Sequence, residues 1–219
     1  MNFIGIFIVF LALRGYNECI KEQKDMNVYD FDETIYNGDS TRDFVKWCMK
    51  KHPKALLSLP RTGFYTLRYY LFHIGTKTEF KEKMYGFLKA CDGERDVERF
   101  WAEKLGGIKG FYRETHRDDD VIISASPEFL LKPLEKKLNI TVIASKVDIH
   151  TGEYTGLNCY HAEKVKRFRE LYPDSQIDDF YSDSYSDEPL ALLARRAFIV
   201  DGEKLIDWDF SKHKKHLRT

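Results

Sequence analysis

The chain has 219 residues, 43% of them hydrophobic and 32% charged, which suits a folded domain with an insertion and excludes a disordered polymer. Lys+Arg and Asp+Glu each number 35, so no net field draws the chain to nucleic acid or to an anionic membrane. The cysteines Cys19, Cys48, Cys91 and Cys159 contain no CxxC pair, which argues against a structural zinc site or a disulfide framework and fits a reducing, cytoplasmic setting.

Residues Phe3 to Leu13 form an apolar run too short to span a bilayer as a helix. No Lys or Arg precedes it, and Arg14-Gly15-Tyr16-Asn17 is a poor cleavage context for a secretory signal. A polar stretch then leads to Met26, one residue before the next strand. Residues 1–25 are therefore expected to be an extension outside the fold, without stable membrane insertion. The alternative is a weak membrane anchor or a degenerate signal peptide.

The next stretch is Asn27-Val28-Tyr29-Asp30-Phe31-Asp32-Glu33-Thr34, followed by a turn at Asn37-Gly38. In a strand, residues i and i+2 point to one side, so Asp30 and Asp32 would crowd a single spot. Such crowding persists only where a cation or a shared proton relieves it. A strand end of this kind reads as a metal or phosphoryl site. The plainer alternative is a polar strand end that caps the following helix through Asp32 or Thr34.

From Ser40 to about Arg117 the apolar spacing is helical, interrupted by Pro53, Pro60 and Gly63. Phe44, Val45, Trp47 and Cys48 cluster on one face. Phe64 to Ile74 follows, and then Phe80, Met84, Phe87, Leu88, Val97, Phe100 and Trp101 at spacings of three to four. These aromatic stripes read as helix-packing core rather than as a cofactor site.

The period then changes. Val121-Ile122-Ile123 is a buried strand that stops at Ser124-Ala125-Ser126-Pro127, and Pro127 opens a helix running to about Leu138. Ile140 to Ala144 is a second strand, 146–157 a hairpin around Thr151-Gly152, and Tyr160 to Leu171 a basic amphipathic helix. Ile177 to Tyr181 is a strand ending at Asp183, Asp187 to Ala194 is helical, and Ala197 to Val200 closes the series at Asp201-Gly202. The class is α/β: a Rossmann-like parallel sheet with helices on both faces and a helical cap inserted after the first strand. Residues 26–38 and 118–219 make the core, and 39–117 the cap. Ligands in such sheets sit beyond the carboxyl ends of the strands, where Asp30, Asp32, Ser124 and Asp183 all fall.

With Asp30-x-Asp32-x-Thr34, Ser124, Lys164 and Asp183-x-x-x-Asp187 standing in that order, the chain resembles the haloacid dehalogenase-like hydrolases. The ending Asp183-Ser184-Tyr185-Ser186-Asp187-Glu188-Pro189-Leu190 and the long helical insertion are similar to its phosphoserine-phosphatase-like branch. The resemblance implies a Mg²⁺-dependent phosphomonoester hydrolase acting through an aspartyl-phosphate on a small phosphorylated metabolite. In it Asp30 is the nucleophile and Asp32 the general acid and base. Asp30, the main-chain carbonyl of Asp32 and Asp183 hold Mg²⁺, with Asp187 in support. Ser124 and Thr34 attend the phosphate, and Lys164 places a positive charge on it and on Asp30.

Each residue also has an ordinary reading. Ser124, Asp183 and Asp187 could be helix N-caps, and Lys164 lies among Lys166, Arg167 and Arg169 as on a solvated face. The fourth motif reads Ser-Asp-Ser where many relatives have Gly-Asp-Gly, and Ala125 replaces a glycine after Ser124. Arg42, Arg61, Arg68, Tyr69 and His73 are candidates for contacting the leaving group, although long polar side chains on helices usually face solvent. The alternatives are a phosphotransferase on the same fold and a catalytically silent binding domain. No nucleic-acid partner is expected, and the oligomeric state is left open.

Overall fold

Strands buried on both faces need no polar alternation, and the computed structural model, which describes residues 25–74 and 82–212, builds its centre from such runs. The expectations for the N-terminal extension, for Phe80 and for the end of the basic tail lie outside the described residues. The strands are β1 (Met26–Tyr29), β2 (Val121–Pro127), β3 (Thr141–Ser145), β4 (Ile177–Ser182), β5 (Ala194–Asp201) and β6 (Lys204–Asp207). They form a six-stranded sheet in the order β3-β2-β1-β4-β5-β6, parallel except for the last pair. The parallel sheet expected from the short apolar runs is therefore present, with one antiparallel edge strand added.

β1 is the hub. Val28 pairs with Val121 on one side and Phe180 on the other, and every residue of the strand is buried. The chain leaves β1 toward β2 and β3, then crosses back to place β4 on the opposite flank. This reversal opens a crevice at the carboxyl ends of β1 and β4. Alternation along β1 feeds two cores. Tyr29 joins Trp101, Ile122 and Tyr181 on one face, and Val28 joins Ile123, Phe168 and Phe180 on the other. Tyr29 stacks on Tyr181 at 4.6 Å between ring centroids and meets the edge of Tyr112 at 5.0 Å. Adjacent strand ends are thus locked beneath the crevice.

The helices are α1 (Ser40–Lys51), α2 (Leu59–Phe72), α3 (Gly93–Lys104), α4 (Gly110–Thr115), α5 (Glu128–Leu131), α6 (Leu134–Leu138), α7 (Ala162–Leu171) and α8 (Glu188–Ala191). The first four stand between β1 and β2, with 3₁₀ turns at Pro53–Ser58 and Tyr85–Ala90. Asp39 caps α1 by accepting from the Arg42 N–H at 2.8 Å. Phe44, Trp47, Phe87, Phe100 and Trp101 are buried as the helical spacing implies, but α2 leaves Phe64, Leu67, Leu71 and Phe72 exposed. That stretch is not packing core. No helix among the described residues is long and apolar enough to cross a membrane.

Smaller departures have local causes. The helix expected to reach Leu138 divides at Pro133, which has no N–H to continue the ladder. The expected hairpin at 146–157 contracts to a single bridge between Val147 and Tyr154. The helix expected to run to Ala194 ends at Ala191. β5 begins at Ala194 and turns at Gly202, φ +63°, into the exposed strand β6.

Candidate active site

The loop after β1 is shaped by its own backbone. Asp30 N–H donates to the Tyr181 carbonyl at 2.9 Å, and Ile35 and Tyr36 both donate to the Phe31 carbonyl at 2.9 Å. Glu33 takes a left-handed φ of 56°, and its N–H reaches the carbonyl of Gly38, itself at φ 124°. The ammonium of the buried Lys109 also donates to the Glu33 carbonyl. A turn held from so many directions presents Asp30 and Asp32 at the mouth of the crevice with little freedom to move.

Lys164, in the first turn of α7, is 2% exposed, so it is not part of a solvated basic face. Its ammonium donates to Asp30 Oδ1 at 2.8 Å and to Asp187 Oδ2 at 2.7 Å. Burial works against its charge, but the two carboxylates outweigh that and hold its pKa above the ordinary lysine value. The Asp30 pKa also rises, which for a carboxyl disfavours the charged form. Burial, opposed by Lys164 and reinforced by Asp187, pushes its carboxyl up to about 7.

Asp32 accepts from the Ser40 N–H at the start of α1, at 2.7 Å, and from the Ser126 hydroxyl. The Thr41 hydroxyl lies 3.0 Å from that of Ser126, which makes a short relay onto Asp32. Burial raises the Asp32 pKa, with the Ser126 and Ser40 contacts pulling against it. Ser124 is buried, and its Oγ accepts from the Ser126 N–H at 3.1 Å, leaving its own proton to donate elsewhere.

Asp183 and Asp187 follow β4. Ser182 Oγ donates to Asp187 Oδ2 at 2.9 Å, while Asp187 Oδ1 is buried with no hydrogen-bond partner. The Asp183 pKa is raised by burial and by Asp187. Thr34, expected at the phosphate, is fully buried instead. Its hydroxyl accepts from the Asp183 N–H at 2.8 Å and lies 3.5 Å from the Asp183 carboxylate, so it supports that loop rather than facing the crevice.

The described residues line a cavity of about 510 Å³ there, whose acids, Asp30, Asp32, Glu33, Asp39, Asp183 and Asp187, face among the described residues only the cations Arg42 and Lys164. A phosphate dianion would be repelled from such a cavity unless a metal ion reversed the local sign. Oxygen donors in surplus and the orphaned Asp187 Oδ1 fit a hard cation such as Mg²⁺. Of the residues weighed for leaving-group contact, Arg42 lines the cavity, whereas Arg61 borders a different one and Arg68 lies over the Tyr65 ring. Ser126 and Thr41 went unnoticed in the sequence. Ser126 had a signal, since it stands two residues after Ser124 on the same strand and so shares its side.

A family model described as haloacid dehalogenase-like hydrolase matches residues 28–192. No curated protein matches the chain significantly. Among solved structures, a protein of unknown function from Bordetella pertussis Tohama I is similar at TM-score 0.66 and 18% identity, over 90% of this chain and 96% of that one. A probable phosphoserine phosphatase from Vibrio cholerae gives a TM-score of 0.55 at 15% identity, over 81% of this chain and 58% of that one. A HAD family hydrolase from Salmonella enterica subsp. enterica serovar Typhi gives 0.50 at 16% identity, over 78% of this chain and 60% of that one. At these identities the likenesses show a shared fold.

Proposed function

This chain belongs to the haloacid dehalogenase-like hydrolase family, and from that premise we propose that it is a Mg²⁺-dependent phosphatase of a small phosphorylated metabolite. The observation that carries the reading is the buried Lys164 ammonium bridging Asp30 and Asp187 at 2.8 and 2.7 Å, beside an Asp32 held by its own donors. Asp30 attacks phosphorus, forming a bond from its carboxylate oxygen as the ester P–O bond breaks. Asp32, whose raised pKa suits it to carry a proton, gives that proton to the leaving oxygen. In the second half, water attacks phosphorus, Asp32 takes its proton back, and the Asp30 carboxylate is released with inorganic phosphate.

Asp30, Asp183, Asp187 and the Asp32 carbonyl would hold Mg²⁺. When bound, the ion neutralises charge on the phosphoryl oxygens. The Ser124 hydroxyl donates to the phosphoryl group, and Ser126 fixes the orientation of Asp32. Residues 39–117 act as a cap on the core formed by 26–38 and 118–219. Asp32 takes a hydrogen bond from Ser40, so the cap's position sets that of the acid.

The test is hydrolysis of an aryl phosphate by the full chain, with Mg²⁺ or with chelator, for wild type and Asp30→Asn. Activity that needs the metal and disappears in the variant is expected. Turnover that persists in Asp30→Asn, or that is indifferent to chelation, would overturn the reading.

A further inference from the structure

Away from the catalytic cavity, side chains of three metal-ligating types meet among the inserted helices. Cys48 lies in the last turn of α1 and His52 follows as its C-terminal capping residue. Cys91 ends the 3₁₀ turn Tyr85–Ala90, and Asp96 is in the first turn of α3. Ligand atoms of His52, Cys91 and Asp96 all lie within 4.8 Å of one another. The Cys91 thiol donates to the Phe87 carbonyl at 3.5 Å, and the Cys48 thiol neighbours it, just outside that group of three.

Cys48 and Asp96 are both fully buried. Asp96 Oδ2 is used twice, accepting from the Asp92 N–H at 2.7 Å and lying 2.6 Å from His52 Nε2. Asp96 Oδ1 has no hydrogen-bond partner, and the half-exposed Arg99 guanidinium is 3.8 Å from it. A fully buried carboxylate oxygen left in that condition is costly unless a cation satisfies it. A plain His–Asp ion pair accounts for one oxygen. It accounts neither for the other nor for two thiols gathered beside it.

We propose that His52, Cys91 and Asp96, joined by the neighbouring Cys48 when the ion binds, form a structural zinc site that clamps α1, the 3₁₀ turn and α3 together. Two sulfurs, one imidazole and one carboxylate are a donor set suited to four-coordinate Zn²⁺ and unsuited to Mg²⁺ or Ca²⁺. The spacing Cys48-x₃-His52 puts both ligands on one side of a helix end, as residues four apart must lie. Zinc binding displaces the two thiol protons, leaving a site of formal charge −1 that the Arg99 guanidinium faces. The absence of a CxxC pair argued against zinc, but the ligands come instead as Cys-x₃-His and Cys-x₄-Asp from separate segments.

The test uses the full chain, reduced and stripped of metal, with excess Mg²⁺ present to occupy the catalytic carboxylates. Titration with Co²⁺ should give thiolate-to-cobalt charge transfer and the intense d–d bands of a tetrahedral ion, saturating at one equivalent. Zn²⁺ should bleach them and raise the melting temperature. In Cys91→Ser the charge-transfer band should weaken by about half, because one thiolate remains, and Asp96→Asn should bind the ion more weakly with both thiolates retained. Circular dichroism identifies variants that have failed to fold. A folded wild type without the charge-transfer band, or a band unchanged in both Cys48→Ser and Cys91→Ser, would overturn the proposal.

Discussion

Asp30 sits where burial and function pull in opposite directions. Its carboxyl is pushed up to about 7, so the metal-free protein holds a proton there that the unfolded chain would release near 3.8. A raised folded pKa contributes stability below the unfolded value and loses it as pH rises through the folded one. Metal binding reverses this, because the ligand must be deprotonated. The stabilisation conferred by Mg²⁺, read as a shift in melting temperature, is therefore expected to be larger near pH 8 than near pH 6. An equal shift at both would mean that Asp30 is not a ligand.

Ser126 is the residue whose part was least visible in advance. Its hydroxyl contributes one hydrogen bond to Asp32 and its N–H one to Ser124. Ser126→Ala keeps the N–H and removes the hydroxyl, so stability should change by only about 1 kcal/mol. Activity should fall roughly tenfold or more, because the acid loses its orientation. The loss should be greatest for substrates with poor leaving groups, which depend most on proton donation. A uniform loss across leaving groups would point to a packing role instead.

At the scale of elements, the indole of Trp101 on α3 connects the insertion to the loop after β1. It meets the edges of Phe31 and Tyr36 at 5.8 and 5.6 Å, and its Nε1 donates to the Leu130 carbonyl at 2.6 Å. Trp101→Ala should cost about 3–5 kcal/mol in denaturant melts, through the cavity and the orphaned carbonyl together. A cost below about 1 kcal/mol would show that the indole is not holding those elements together.

The same scale shows what sequence patterns could and could not convey. Short apolar runs such as Val121-Ile122-Ile123 were legible as buried strands because both faces are covered. β5 was read only from Ala197, since Arg195 and Arg196 are exposed and break the apolar run. β6 was missed because it is an exposed edge strand with no buried side to set a period. The apolar run of α2 suggested core, yet sequence spacing carries no information on which face finds a partner.

At the scale of the whole molecule, a chain with equal numbers of acids and bases segregates its charge. Acids gather at the reversal of strand order, and Lys164 is drawn from a basic-looking helix into their midst. Asp30, Asp32, Ser124 and Asp183 were legible because each follows an apolar strand, and the sheet brings all such ends to one edge. Thr34 was legible as part of the motif but not in its direction, which depends on the tertiary contact with Asp183. The gathering of His52, Cys91 and Asp96 was not legible either, because it depends on how three separate segments pack.

The central claim is that the phosphoryl group passes through Asp30, and intact-mass spectrometry of Asp32→Asn quenched during turnover of an aryl phosphate tests it most directly. A good leaving group needs no acid, so the first step should proceed while hydrolysis stalls for want of a base. The account predicts that protein heavier by one phosphoryl group accumulates, with peptide mapping placing the group on Asp30, and that Asp30→Asn abolishes it. Turnover with no phosphorylated protein in any variant, or a phosphoryl group on another residue, would contradict it.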